Sequence, residues 1–183
     1  MADKRLAGTR FLMVIAQSDF RDEELLEPKQ VLEAEGAQVT VASTKAGEAT
    51  GMLGAKVTPD TTLDAVKSAD FKGISVVGGM GSPEFLWTNA TLHKLVQEFN
   101  RDQKVVAAIC LSGAALAKAG VLQNRKATVW EMPESVAALE EGKATFVKEP
   151  VVQDGHVITA NGPEAATEYG KKIVEQLAKV AVK

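Results

Sequence analysis

A single cysteine, Cys110, lies in the segment Lys104-Val-Val-Ala-Ala-Ile-Cys110-Leu-Ser-Gly-Ala-Ala-Leu-Ala-Lys-Ala-Gly120. Apolar, partly β-branched residues precede it and small helix formers follow, so the segment reads as strand, sharp turn and helix. Ala108 stands two residues before the cysteine and Ser112 two after it. A nucleophile elbow requires such small flanks, because strand and helix close tightly around a strained turn. A thiol at a helix start feels the positive dipole end and free backbone N–H groups, and a lowered pKa is expected. The N–H groups just after Cys110 would face a developing oxyanion. Two other readings stand beside this one. A lone cysteine ending a buried strand also serves as a small packing residue. The frame Cys110-x-Ser112-x-Ala114 offers Ser112 as a rival nucleophile, which the pattern would put inside the helix.

Two further segments carry residues of interest. Ile74 to Val77 runs into Gly78-Gly79-Met80-Gly81-Ser82-Pro83. Paired glycines after a strand admit close backbone approach. The segment is not a dinucleotide fingerprint, since Glu84 occupies the third required position, and it lacks the Lys-Ser/Thr of a phosphate loop. It reads as an ordinary turn or, beside an elbow, as a second oxyanion donor from the Gly79 backbone. Phe20-Arg-Asp-Glu-Glu24-Leu-Leu-Glu-Pro28 opens a helix with acids, which by itself describes a solvated first turn matched to the dipole.

The elements that must position these residues follow from periodicity. Short apolar runs at Phe11–Ala16, Val39–Ala42, Ile74–Val77, Val105–Ile109 and Val157–Thr159 fit strands buried on both faces. Helical spacing links Leu25, Leu26, Val31 and Leu32, with Gly36 as the stop. It recurs in a short helix at Leu63 and Val66, then in Leu92, Leu95, Val96 and Phe99. Ala114 to Ala119 form a helix closed by Gly120, Val136 to Leu139 another, and Ala165, Tyr169, Ile173, Val174 and Leu177 a long last one. Strands alternating with helices predict an α/β fold with a mainly parallel sheet. Hairpins are expected at Gly51 to Val57, bending at Gly54, and at Val151 to Ile158, turning at Asp154-Gly155.

The 183 residues suffice for one domain with a real core, 45% of them apolar and 25% charged. A net charge of −3 lacks the basic footprint of a nucleic-acid binder. One cysteine cannot form an internal disulfide and fits a reducing compartment. With only two histidines the chain is too poor in ligands for a standard structural zinc site. The run Phe11–Ala16 is too short for a signal or membrane segment, and a cytoplasmic protein is expected.

In their order and spacing, the segments resemble the ThiJ/PfpI superfamily, also called the DJ-one family. The resemblance rests on Glu24 four residues before Pro28, Val57-Thr-Pro-Asp60, Val76-Val-Gly-Gly79, Ala107-Ala-Ile-Cys110 and Ala160-Asn-Gly-Pro163 before the last helix. It implies a flavodoxin-like, glutamine-amidotransferase-like three-layer sandwich as a single domain over residues 1–183, with 1–9 as a flexible lead. It matches Cys110 to the reactive elbow cysteine and Glu24 to the acid that contacts it. Gly79 and Leu111 match the backbone donors. Two departures follow. Peptidase-type members carry histidine directly after the cysteine, where this chain has Leu111, and a further family histidine is replaced by Trp130, a core aromatic or a pocket wall. His93 and His156 are expected to be surface or packing residues. What remains is a thiol, a carboxyl and backbone donors. That set implies cofactor-free, metal-free glyoxalase chemistry on a dicarbonyl such as methylglyoxal, or deglycase action on glycated protein. The alternatives are a redox-sensing stress protein or chaperone and, below these, a peptidase. The resemblance also implies a homodimer or larger assembly, and Leu86 and Trp87, expected to be exposed, could serve its interface.

Overall fold

The computed structural model describes residues 3–181. The chain runs β1 (Arg10–Val14), β2 (Ser18–Phe20), α1 (Asp22–Ala34), β3 (Gln38–Ser43), β4 (Ala49–Gly51), β5 (Lys56–Val57), β6 (Thr61–Thr62), β7 (Gly73–Val76), α2 (Ser82–Phe85) and α3 (Ala90–Arg101). It continues through β8 (Val105–Ile109), α4 (Gly113–Lys118), β9 (Lys126–Ala127), α5 (Pro133–Glu141), β10 (Thr145–Phe146), β11 (Val151–Asp154), β12 (Val157–Ala160) and α6 (Ala166–Ala181). Seven strands form the central sheet in the order β11-β12-β8-β7-β1-β3-β6. All neighbours pair in parallel except β11 with β12.

Every residue of β8 is buried, as a strand covered on both faces demands. One cover is α6, which packs on β8, β12 and α1; the other is α3, which packs on β7 and β8 and leads to α4 and α5. This is the mainly parallel three-layer α/β sandwich implied by the resemblance. The apolar stripes predicted for α3 and α6 face the core: Leu92, Leu95, Val96 and Phe99 are buried, as are Tyr169, Ile173, Val174 and Leu177. Asn89 caps α3, its Oδ1 accepting from the Leu92 N–H at 2.9 Å. Both hairpins form, at β4–β5 and at β11–β12. Among the described residues no helix is long and apolar enough to cross a membrane.

Three expectations are corrected. The helix around Leu63 and Val66 is two 3-10 turns, Leu63–Ala65 and Ser68–Asp70, separated by extended residues; only Leu63 of the first is buried, too little to stabilise a longer helix. The flexible lead is tied down where it is described: Leu6 is fully buried, its N–H bonds the Glu35 carbonyl, and Arg5 pairs with Glu35. Leu86 is not exposed but fully buried, and the half-buried Trp87 spends its indole N–H on the Leu111 carbonyl.

Parallel pairing brings the carboxyl ends of β1, β7, β8 and β12 to one edge, the usual place for a ligand in such a sheet. Because β7 and β8 are neighbours, with Val76 opposite Ala108, the Gly78-Gly79 loop emerges beside Cys110.

Candidate active site

Cys110 follows the last residue of β8 and begins a 3-10 turn, Cys110–Ser112, that leads into α4. Its φ is +60°, in the left-handed region that a side chain adopts only under constraint. Such strain costs about 1–3 kcal/mol and is characteristic of a nucleophile elbow. The sulfur-bearing residue is 7% exposed.

Glu24 reaches the same place from the first turn of α1 and is completely buried. Its Oε2 accepts the Gly78 N–H at 2.9 Å, whereas Oε1 is buried without an ordinary hydrogen-bond partner. The Cys110 thiol adjoins this carboxyl closely enough to pull its titration down. Gly78 sits between the two side chains. A Cβ there would lie 2.5 Å from Glu24 Oε2 and 2.6 Å from Cys110 Cβ, so any side chain at this position would force its neighbours to shift. Gly79 has φ +106°, and a Cβ on it would meet the Arg21 nitrogen at 2.4 Å.

Burial dominates the electrostatics. It raises Glu24 to about 7, against the Cys110 contact, the Gly78 N–H and the Arg21 charge. Burial and the adjacent carboxylate push the Cys110 thiol up to about 12, with the Gly79 and Leu111 N–H groups acting in the opposite sense. The expected simple lowering by a helix start therefore does not hold. The sulfur is nearly shut off from water beside an acid, and α4 is only six residues long behind a 3-10 turn. Between about 7 and about 12 the two groups together hold one proton and one negative charge.

Glu24, Gly79, Cys110, Leu111 and Trp130 all line one pocket of about 120 Å³. That is the volume of about four waters, enough for a small molecule or the end of a modified side chain. Trp130 is a half-exposed wall rather than a core aromatic, and its ring lies so close over Gly162 that a Cβ there would be 2.8 Å from Cε3. Sequence reasoning did not single out Arg21, Met52, Met80 or Pro163, which complete the lining. Arg21 and Pro163 stood inside the quoted motifs; Met52 came with the β4–β5 hairpin. That hairpin is held by Asp22, whose carboxylate accepts the Leu53 and Ala55 N–H groups at 3.0 and 2.8 Å. Asp22 and Glu24 are thus buried, and within the acidic first turn Glu23 is paired with Arg21. A separate cleft of about 690 Å³ adjoins the pocket and shares Arg21, Trp130 and Pro163 with it.

Neither histidine lines the pocket. His93 Nε2 bonds the Trp87 carbonyl at 2.7 Å, and His156 Nε2 bonds Asn100 Oδ1 at 2.8 Å.

A sequence profile of the DJ-1/PfpI family matches residues 9–176. The chain belongs to the DJ-1/PfpI family. A Methanocaldococcus jannaschii protein, MJ0967, is 46% identical over 96% of this chain and 86% of its own. A Thermococcus kodakarensis protein named deglycase TK1284 is 29% identical, covering 91% of this chain and 98% of that one. The crystal structure of a ThiJ/PfpI domain protein from Brachyspira murdochii superposes with a TM-score of 0.88 at 30% identity, over 93% of this chain and 96% of that one. Within this DJ-1/PfpI member, the pocket at the sheet's carboxyl edge brings together every site residue that the motifs suggested.

Proposed function

We propose that this protein is a cysteine-dependent, cofactor-free enzyme acting on reactive dicarbonyls, as a deglycase on their protein adducts or as a glyoxalase on the free compound. The observation that carries the reading is the buried Cys110–Glu24 pair, which holds one proton between about 7 and about 12. With the proton on sulfur and the charge on Glu24, the carboxylate is a general base that takes the thiol proton as the sulfur attacks and then serves as the general acid. The name of the Thermococcus relative supports the deglycase side.

In this mechanism the Cys110 sulfur bonds to the aldehyde carbon of methylglyoxal while Glu24 passes the thiol proton to the oxygen. The nascent oxyanion lies by the Gly79 and Leu111 N–H groups. Glu24, now a carboxylate, removes the hydrogen from the sulfur-bearing carbon and returns it to the neighbouring carbon, while the hydroxyl proton passes from the first oxygen to the ketone oxygen. The ketone is thereby reduced and the aldehyde carbon oxidised to a thioester, so no external redox partner is needed. Water hydrolyses the thioester to lactate and restores the pair. On a hemiaminal adduct the first step forms the same C–S bond and breaks the C–N bond, with Glu24 protonating the leaving nitrogen. The small pocket suits the reacting carbons, and the adjoining cleft offers room for the rest of a glycated chain. We place this activity in the cytoplasm, in keeping with an unpaired cysteine, and in a homo-oligomer as first expected.

The test is turnover of methylglyoxal and of a methylglyoxal-treated peptide, with product identified by NMR. Wild type is expected to release lactate, and Cys110→Ala none. Absence of turnover from both substrates, together with ready oxidation of Cys110 by peroxide, would replace the enzyme with a redox sensor.

A further inference from the structure

Ser112, the rival nucleophile of the sequence, is fully buried, and so is Ser82. Ser112 Oγ lies 2.6 Å from the Val77 carbonyl oxygen and 2.7 Å from Ser82 Oγ. A carbonyl only accepts, so Ser112 donates to Val77 and receives the Ser82 proton. Its single proton is committed to a backbone oxygen, which leaves no base to activate it.

The two hydroxyls join three points of the backbone. Val77 follows β7 and precedes the Gly78-Gly79 loop. Ser82 opens α2 on the far side of that loop. Ser112 closes the 3-10 turn that starts at Cys110. The loop bearing the Gly79 N–H is therefore tied at both ends to the turn bearing the Leu111 N–H. Both segments contain left-handed backbone, at Gly79 and at Cys110. The Cys110 conformation is not one its own preference would hold, so something external must fix it.

We propose that the Ser82–Ser112 hydroxyl pair is a positioning device that sets the spacing of the Gly79 and Leu111 N–H groups at the Cys110 sulfur. That these N–H groups serve an oxyanion rests on the proposed function; the clamp acts through them and does not touch substrate. Directional hydrogen bonds fix a separation more closely than apolar contact, and oxyanion stabilisation is sensitive to shifts well under an ångström.

The test uses Ser112→Ala, Ser82→Ala and the double variant in the full chain, each checked for a native near-UV spectrum and a cooperative melt. Two quantities are read: iodoacetamide alkylation of Cys110 against pH, and kcat and KM for methylglyoxal. Ser112→Ala is expected to lower kcat ~10-fold or more with KM within about two-fold. It should also move the alkylation midpoint upward, as the N–H donors drift from the sulfur. Ser82→Ala should do less, because the Ser112–Val77 bond survives. The double variant should match Ser112→Ala, since that change alone already breaks the link. A folded Ser112→Ala protein with wild-type kcat and alkylation profile overturns the clamp, as do strictly additive losses in the double variant. Should Ser112→Ala not fold, an unchanged profile in Ser82→Ala overturns it equally. If wild type turns over no dicarbonyl yet Ser112→Ala shifts the alkylation midpoint, the clamp stands and the enzymatic reading falls.

Discussion

Cys110 and Glu24 are two weak acids in one small dry space, and their chemistry is that of the pair. Glu24→Gln keeps a hydrogen-bond donor of the same size beside the sulfur but cannot shuttle a proton. It is expected to retain alkylation of Cys110 while losing turnover by ~10²-fold or more, the usual scale for a general acid–base. Cys110→Ser should abolish turnover. Wild-type turnover in Glu24→Gln, followed by NMR, would make Glu24 a structural residue. The same burial has a consequence for stability. Glu24 rises from 4.5 to about 7 on folding, so the folded state binds its proton more tightly. Its stabilising effect is complete below about pH 4.5 and is lost as pH rises through about 7. Urea unfolding at pH 4.5 and pH 8 should show a loss of about 3 kcal/mol in wild type that Glu24→Gln does not share.

At the scale of elements, the site depends on how closely three turns approach one another. Gly78 lies between the α1 start and the β8 end, where a methyl group would meet Glu24, Cys110 Cβ and the Ile109 carbonyl, all within 2.6 Å. Two of those atoms belong to the strained elbow and its backbone, so the neighbours cannot simply swing aside. Gly78→Ala is expected to cost about 1–3 kcal/mol in urea unfolding and to remove activity by parting the thiol from the carboxyl. Retention of both would mean that the loop is softer than its packing implies. The glycine pair was visible in the sequence as a place of close approach. What approaches it was not, because Glu24 and Gly78 are 54 residues apart and meet through long-range contacts, the β1–β7 pairing and the Arg21 N–H bond to the Gly78 carbonyl among them.

At the scale of the molecule, α6 covers the face of the sheet behind the site. It packs on β8, β12 and α1, and at Gly170 it comes so near that a Cβ would lie 2.9 Å from Pro28 Cα. Ile173 is fully buried in this layer. Ile173→Ala should lower unfolding free energy by about 2–5 kcal/mol, measured in urea, through lost burial and the cavity left behind. Because one core spans both layers, near- and far-UV signals should still change together. Separate transitions would show that the α1–α6 layer unfolds on its own.

Local pattern alone determined the alternation of strands and helices, both hairpins, the turn at Cys110 and the apolar stripes of α3 and α6, since each depends on residues within a few positions of one another. The family motifs added the grouping of Cys110, Glu24, Gly79, Leu111 and Trp130. Tertiary structure alone decided the rest. Charged side chains look solvated in a helix's first turn, yet Asp22 is turned onto the hairpin and Glu24 under the sheet edge. The thiol's titration went opposite to the helix-start expectation, because desolvation and a neighbouring carboxylate outweigh a short helix's dipole. Ser112, a possible nucleophile in one dimension, became a buried link once β7 and β8 were paired. Burial and long-range contact set the energies of polar groups, and neither is a property of a residue's neighbours along the chain.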